Sequence, residues 1–126
     1  MANRQAQAAS AQAPFRIPAA PTETALLAKY FRGLGDPTRL SILQLLEERE
    51  RTVGEIVEKL GVSQPKVSNH LACLRWCGFV EARQSGRFVF YRLADRKVRQ
   101  VIKLARELLR ENERHVALCE RIDGGA

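Results

Sequence analysis

Residues 52–78, TVGEIVEKLGVSQPKVSNHLACLRWCG, are punctuated twice by residues that start a helix and twice by a glycine that stops one. Thr52 with Glu55 three residues on is a capping-box pair, which predicts a short helix over Val53 to Leu60 ended by Gly61. Ser63 can cap a second helix, whose inner face is Val67, Leu71 and Leu74 and which ends before Gly78. Two helices joined through Gly61, Val62 and Ser63 make a helix-turn-helix, a motif that offers its second helix to the major groove of DNA. At about 100° per residue, Pro65, Ser68, Asn69 and Ala72 face away from the apolar side, with Gln64 on the flank. That small polar face suits base edges. Gln and Asn pair bidentately with adenine, Ser bonds to bases or phosphates, and a helix N-terminus favours an anion.

Upstream, Ala25, Leu26, Leu27, Tyr30, Phe31 and Leu34 recur at helical spacing from Thr22 until Gly33 and Gly35 end the pattern, giving a first helix. Asp36-Pro37 is an N-cap and first-turn pair, and Leu40, Leu43 and Leu46 carry a second helix to about Glu48. Downstream the periodicity shifts toward two. Phe79 to Arg83 and Arg87 to Leu93 read as strands joined through Ser85 and Gly86. This hairpin holds Arg83, Arg87 and Arg92 and no acid between Ala82 and Ala94. It is expected to act as a wing that places Arg83 and Arg87 on DNA while Phe88 and Phe90 face the core. Asp95 then caps a long last helix whose apolar stripe runs from Val98 through Val101, Ile102, Leu108 and Leu109 to Val116 and Cys119, with Asn112 inside it.

The expected fold is therefore mainly α with a small β-hairpin, a winged helix-turn-helix over residues 22–122. Residues 1–21, with eight Ala, three Gln and three Pro, read as a flexible tail. The 126 residues suffice for one core, and a formal charge of +7 points to a polyanionic partner, double-stranded DNA before a membrane surface. No apolar run exceeds four residues, so neither a span nor a signal peptide is expected and the chain is placed in the cytoplasm. With two histidines, no glycine-rich phosphate loop and no nucleophilic triad or paired carboxylates, it is not expected to be an enzyme or to use an organic cofactor.

Three cysteines have the wrong parity for a disulfide framework. Cys73 and Cys77 are four apart on the second helix of the motif, so their Cβ atoms stand about 5–6 Å apart on one side, at the flank of the apolar stripe. Two thiolates so placed fit one soft metal ion, and a third thiolate would complete a trigonal sulfur site; Cys119, near the C-terminus, is the remaining thiol. Small buried hydrophobes and a redox switch are the competing readings of the same residues.

The ordered set Gly35-Asp36-Pro37-Thr38-Arg39-Leu40, Ser63 to Leu74, Gly78-Phe79-Val80 and Gly86-Arg87-Phe88-Val89-Phe90-Tyr91 resembles the ArsR/SmtB family of winged-helix bacterial repressors over roughly residues 24–120. The resemblance implies a homodimer formed by the first and last helices, with one recognition helix per half-site. It also implies release of operator DNA when a metal or other inducer binds. Two of the family's metal sites are not matched. The third-helix pair of cysteines falls on Thr52 and Gly54, and the last-helix site falls on Asp95, Lys97, Leu108 and Glu111. The run Asn69 to Gly78 is instead similar to a branch of actinobacterial cadmium and lead sensors, which implies a site of Cys73, Cys77 and Cys119, the last supplied by the other subunit. His70 is expected to pack or hydrogen-bond within the helix-turn-helix, and His115 to be an exposed or capping residue.

The expected DNA contacts are then Ser63, Gln64, Pro65, Lys66, Ser68, Asn69, Arg83 and Arg87. The inducer would be a thiophilic ion, cadmium, lead or mercury, with arsenite a further candidate. The competing functions are a repressor switched by cysteine oxidation and a basic module that binds protein.

Overall fold

The computed structural model describes residues 20–124, so the tail expected over residues 1–21 lies, apart from Ala20 and Pro21, outside the described residues. The chain divides into two compact units at Gly35. In the first, α1 (Glu23–Leu34) begins where the Thr22 side chain accepts the Ala25 N–H at 3.1 Å. Leu26, Leu27, Tyr30 and Phe31 stand exposed among the described residues and form an apolar stripe along it.

The second unit runs α2 (Pro37–Glu48), β1 (Arg51–Thr52), α3 (Val53–Leu60), α4 (Gln64–Trp76), β2 (Val80–Ser85), β3 (Phe88–Leu93), α5 (Arg96–Ala117) and α6 (Glu120–Gly124). Asp36 starts α2 by accepting the Arg39 N–H at 3.0 Å, and this bond is the main reason its carboxyl lies below the usual range. Pro37 follows at the one helical position where a missing N–H costs nothing. The Thr52–Glu55 capping box forms in full, with the Glu55 carboxylate accepting the Thr52 N–H at 3.0 Å and the Thr52 hydroxyl accepting the Glu55 N–H at 3.2 Å. Gly61 ends α3 at φ +65°, the left-handed cap its lack of a Cβ permits.

These signals fix where the helices start, and apolar burial fixes how they pack. Ile42, Leu43 and Leu46 of α2, Ile56 of α3 and Val67, Leu71 and Leu74 of α4 meet in one core, closed by Phe79, Val80, Val98 and Ile102. Each such side chain contributes about 1.5–3 kcal/mol by leaving water. The inner face expected for α4 is the observed one.

The β region departs from expectation in two ways. A third strand exists: β1, two residues long, pairs antiparallel with β3 (Arg51 opposite Tyr91, Thr52 opposite Phe90), giving the order β1-β3-β2. The hairpin register, Val80 opposite Leu93 through Ser85 opposite Phe88, also corrects the expected burial of Phe88. Side chains alternate across a strand, so Phe88, Phe90 and Arg92 share a face with Ser85, Arg83 and Glu81, whereas the core side carries Val80. Phe88 is accordingly exposed and Phe90 half-buried.

The last helix ends sooner than its stripe suggests. The Leu118 N–H reaches the Arg114 carbonyl at 3.3 Å, the Cys119 N–H turns back to Val116 at 3.2 Å, and a new short helix starts at Glu120. Cys119 therefore lies in a break between α5 and α6 and not on the α5 stripe. Val101, Leu104, Leu108, Leu109 and Val116 are exposed along α5.

Candidate nucleic-acid interface and thiol pair

Ser63 occupies the N-cap of α4, yet its side chain makes no capping bond. Its hydroxyl is thus open to an outside partner at the end of the helix where N–H groups are unsatisfied. Gln64, Pro65, Lys66, Ser68, Asn69 and Ala72 are all exposed, while Val67, Leu71 and Leu74 beneath them are buried. The polar stripe expected to read DNA is therefore presented to solvent by a helix whose other side is anchored. Lys66 makes no ion pair with any described residue. His70, half-buried, sits with Nδ1 3.5 Å from the Arg39 guanidinium of α2, so it links α4 to the helix that precedes the motif.

The two wing arginines differ in state. Arg87 is at the turn, next to Gly86 at φ +61°, with its guanidinium 5.5 Å from the Phe88 ring centroid and no described carboxylate paired to it. Arg83 lies over Phe90 at 5.1 Å and is gripped by both oxygens of Glu50. The bond from Arg83 is the main cause of a Glu50 carboxyl below its usual range, and Glu50 in turn raises the Arg83 guanidinium. Arg92 is bound to Glu81 at 2.6 Å. Nothing in the hairpin alone foretold the Glu50 contact, because Glu50 reaches Arg83 through the unexpected strand β1.

Glu50 belongs to a run of five consecutive charged residues, each ion-paired. Glu47 binds Arg106 of α5 at 2.6 Å, Glu48 binds Arg51 at 2.7 Å, Arg49 binds Glu55 of α3 at 2.9 Å and Glu50 holds Arg83 of the wing. Arg51 is almost wholly buried and donates a second bond, at 3.2 Å, to the Leu45 carbonyl. The Glu47 carbonyl also accepts from Arg99 of α5. The sequence carries no cap or periodicity that singles out these pairings.

Cys73 and Cys77 are both exposed on α4. The Cys77 N–H bonds to the Cys73 carbonyl at 3.0 Å and Cys77 keeps helical dihedrals (φ −82°, ψ −3°), so the pair retains the one-turn spacing that a shared soft ion needs. Cys119 is half-buried at the α5–α6 break. Among the described residues of one chain, no three His, Cys, Asp or Glu side chains gather where they could hold a metal ion. The donor chemistry of the pair fits a thiophilic ion. Of the two family sites judged absent, Thr52 is engaged in its capping box and Asp95 accepts the Lys97 N–H at 2.8 Å. Trp76, between the cysteines, is 64% exposed. Among the described residues no helix is long and apolar enough to cross a membrane.

Residues 36–82 match the family model described as bacterial regulatory protein, arsR family. The "Probable mercury resistance operon repressor" of Streptomyces lividans is 46% identical over 97 residues, covering 77% of this chain and 78% of that one. A crystal structure of Rv0081 from Mycobacterium tuberculosis superimposes with a TM-score of 0.69 at 33% identity, over 73% of this chain and 93% of the other. A solution structure of a homodimeric winged helix-turn-helix DNA-binding domain from Mycobacterium bovis gives a TM-score of 0.64 at 32% identity, over 75% of this chain and 92% of that domain.

Proposed function

Because the chain belongs to the arsR family of bacterial regulatory proteins, and so is a transcriptional regulator and not an enzyme, we propose that it is a cytoplasmic, homodimeric repressor whose grip on operator DNA is released by a thiophilic metal ion. The observation that carries this reading is that one helix, α4, holds both the exposed polar stripe and the exposed thiol pair. Ser63, Gln64, Pro65, Lys66, Ser68 and Asn69 approach the major groove, and of the wing arginines Arg87 approaches the phosphates unpaired while Arg83 can do so only on leaving Glu50. The uncovered apolar stripes of α1 and α5 are each suited to burial in a dimer. A two-fold dimer sets its half-sites about 34 Å apart, one helical turn of DNA.

Cys73 and Cys77 of one chain with Cys119 of the other supply three thiolates. Soft donors favour cadmium, lead, mercury or arsenite over magnesium or calcium, and the name of the Streptomyces lividans relative adds weight to mercury. Binding releases thiol protons. By linkage, DNA weakens metal binding by the factor by which metal weakens DNA binding, typically about 1–3 kcal/mol.

The test is anaerobic titration of the reduced protein with cadmium, lead and mercury, following thiolate-to-metal absorption, with operator affinity measured in parallel. Cys73→Ser, Cys77→Ser and Cys119→Ser are each expected to weaken metal binding and to bind operator as the parent does. Metal binding that survives loss of all three, or that leaves DNA affinity unchanged, overturns the mechanism. Loss of DNA affinity on oxidation alone, with indifference to soft metals, makes the cysteines a redox switch instead.

A further inference from the structure

Trp76 is the one tryptophan of the chain, and an indole left 64% in water at the end of a helix is costly without a partner. Around the α4 axis it continues the outward stripe of Pro65, Asn69 and Ala72, while Cys73 and Cys77 both lie to one side of it, by about 60° and 100°. At the other end of the chain a similar arrangement recurs. Cys119 is flanked by Leu118 and Ile122, 76% and 69% exposed. The Asp123 N–H reaches back to the Cys119 carbonyl at 3.4 Å, so Cys119, Ile122 and Asp123 share one side of a helical turn. Charge distinguishes the two surfaces as well. α4 contains Lys66 and Arg75 and no acid, whereas α6 carries two acids, Glu120 and Asp123, against one cation, Arg121.

We propose that Trp76 is the docking surface for the C-terminal segment of a second copy of this chain, with Leu118 and Ile122 closing over the indole when Cys119 joins Cys73 and Cys77 on one ion. The inference rests on the three-cysteine reading above and adds a non-ligand clamp to it. A residue one turn from Cys119 lies about 5–6 Å from it, which brings Ile122 within reach of a ring that is sequence neighbour to Cys77. The acids of α6 then meet the cations of α4. The docked segment lies across the far end of the DNA-reading stripe, since Trp76 is part of that stripe. Metal thereby covers a piece of the surface that DNA needs.

Trp76 reports the event directly because no other indole contributes. With cadmium as probe and the full-length reduced protein, acrylamide quenching of Trp76 emission is expected to fall about threefold at saturation, as an indole now mostly in water becomes covered. The Leu118→Ser/Ile122→Ser double variant, and Ile122→Ser alone, keep all three thiols. They are expected to develop the cadmium–thiolate absorption while quenching stays at its metal-free value or, for the single variant, falls by a smaller factor. Absorption without any loss of quenching in the parent overturns the docking and leaves the metal site standing. Shielding in the double variant equal to that of the parent also overturns it. Absence of the absorption band in the parent overturns the three-cysteine reading, and the clamp with it.

Discussion

Replacing Glu50 by Gln tests how the wing meets DNA. Glu50 holds Arg83 with both carboxylate oxygens and Glu81 holds Arg92, so the unaltered wing offers DNA one unpaired cation per hairpin, Arg87, and two that are already neutralised. E50Q keeps the size of the side chain and removes its charge, raising the formal charge of each chain from +7 to +8. If Arg83 then reaches a phosphate, each chain gains one contact, and log affinity against log salt steepens by about 0.9 per contact, or about 1.8 for two chains. Between 50 and 200 mM salt that is about a twelvefold change in the ratio of variant to parent affinity. The assay is fluorescence anisotropy of a labelled operator duplex, with reduced, metal-free protein, across that salt range. Two controls sharpen it. Arg87→Ala is expected to flatten the slope by about 0.9 per chain, and Arg83→Ala in the unaltered background by clearly less. An E50Q slope equal to that of the parent, or an R83A loss as large as that of R87A, refutes the view that Glu50 withholds Arg83 from DNA.

Other expectations concern the scaffold. Leu71→Ala empties a site at the centre of the core and should cost about 2–5 kcal/mol in urea unfolding, with loss of DNA binding through the disordering of α4. Thr52→Ala breaks the capping box of α3 and should cost about 1 kcal/mol in the same measurement. Gly61→Ala has open space for its Cβ but must hold φ +65°, so a loss of about 1–2 kcal/mol is expected from backbone strain alone. Asp36, Glu50 and Glu55 have carboxyls depressed by hydrogen bonds in the folded state, so their stabilisation is complete above the unfolded carboxylate range and disappears as pH falls through and below it. Thermal melts at pH 6, 4 and 3 should show the loss. E50Q should remove part of that dependence, and a melting temperature independent of pH over this window would contradict it.

The helices were legible because their boundaries are written in single residues. Asp36, Thr52 and Asp95 each make the cap that their type and position announce, and Gly61 takes the left-handed turn. The inner face of α4 followed from spacing alone, since Val67, Leu71 and Leu74 have no other way to leave water. Ser63 shows the limit of such reading, being exposed at an N-cap without capping. What stayed hidden depends on pairing across the chain. Two residues, Arg51 and Thr52, carry no periodicity, and only their partners Tyr91 and Phe90 make them a strand. Phe88 looks like a core residue by type but is placed by register on the arginine side of the hairpin. Cys119 continues the apolar period of α5, yet Ala117-Leu118-Cys119 contains no glycine or proline to mark the turn that follows. As for the candidate site, the types and spacing of the thiols and polar residues on α4 could be read directly. The commitment of Arg83 to Glu50 could not.

The ion-paired run from Glu47 to Arg51 has a mechanical consequence. Its first residue is tied to α5 through Arg106 and Arg99, its third to α3 and its fourth to the wing. α5 and the hairpin are thereby joined through one continuous set of ion pairs. Arg106 and Arg83 never touch, yet their substitutions should be non-additive, and a coupling of this kind lets an event at the end of α5 alter the angle at which the wing meets DNA.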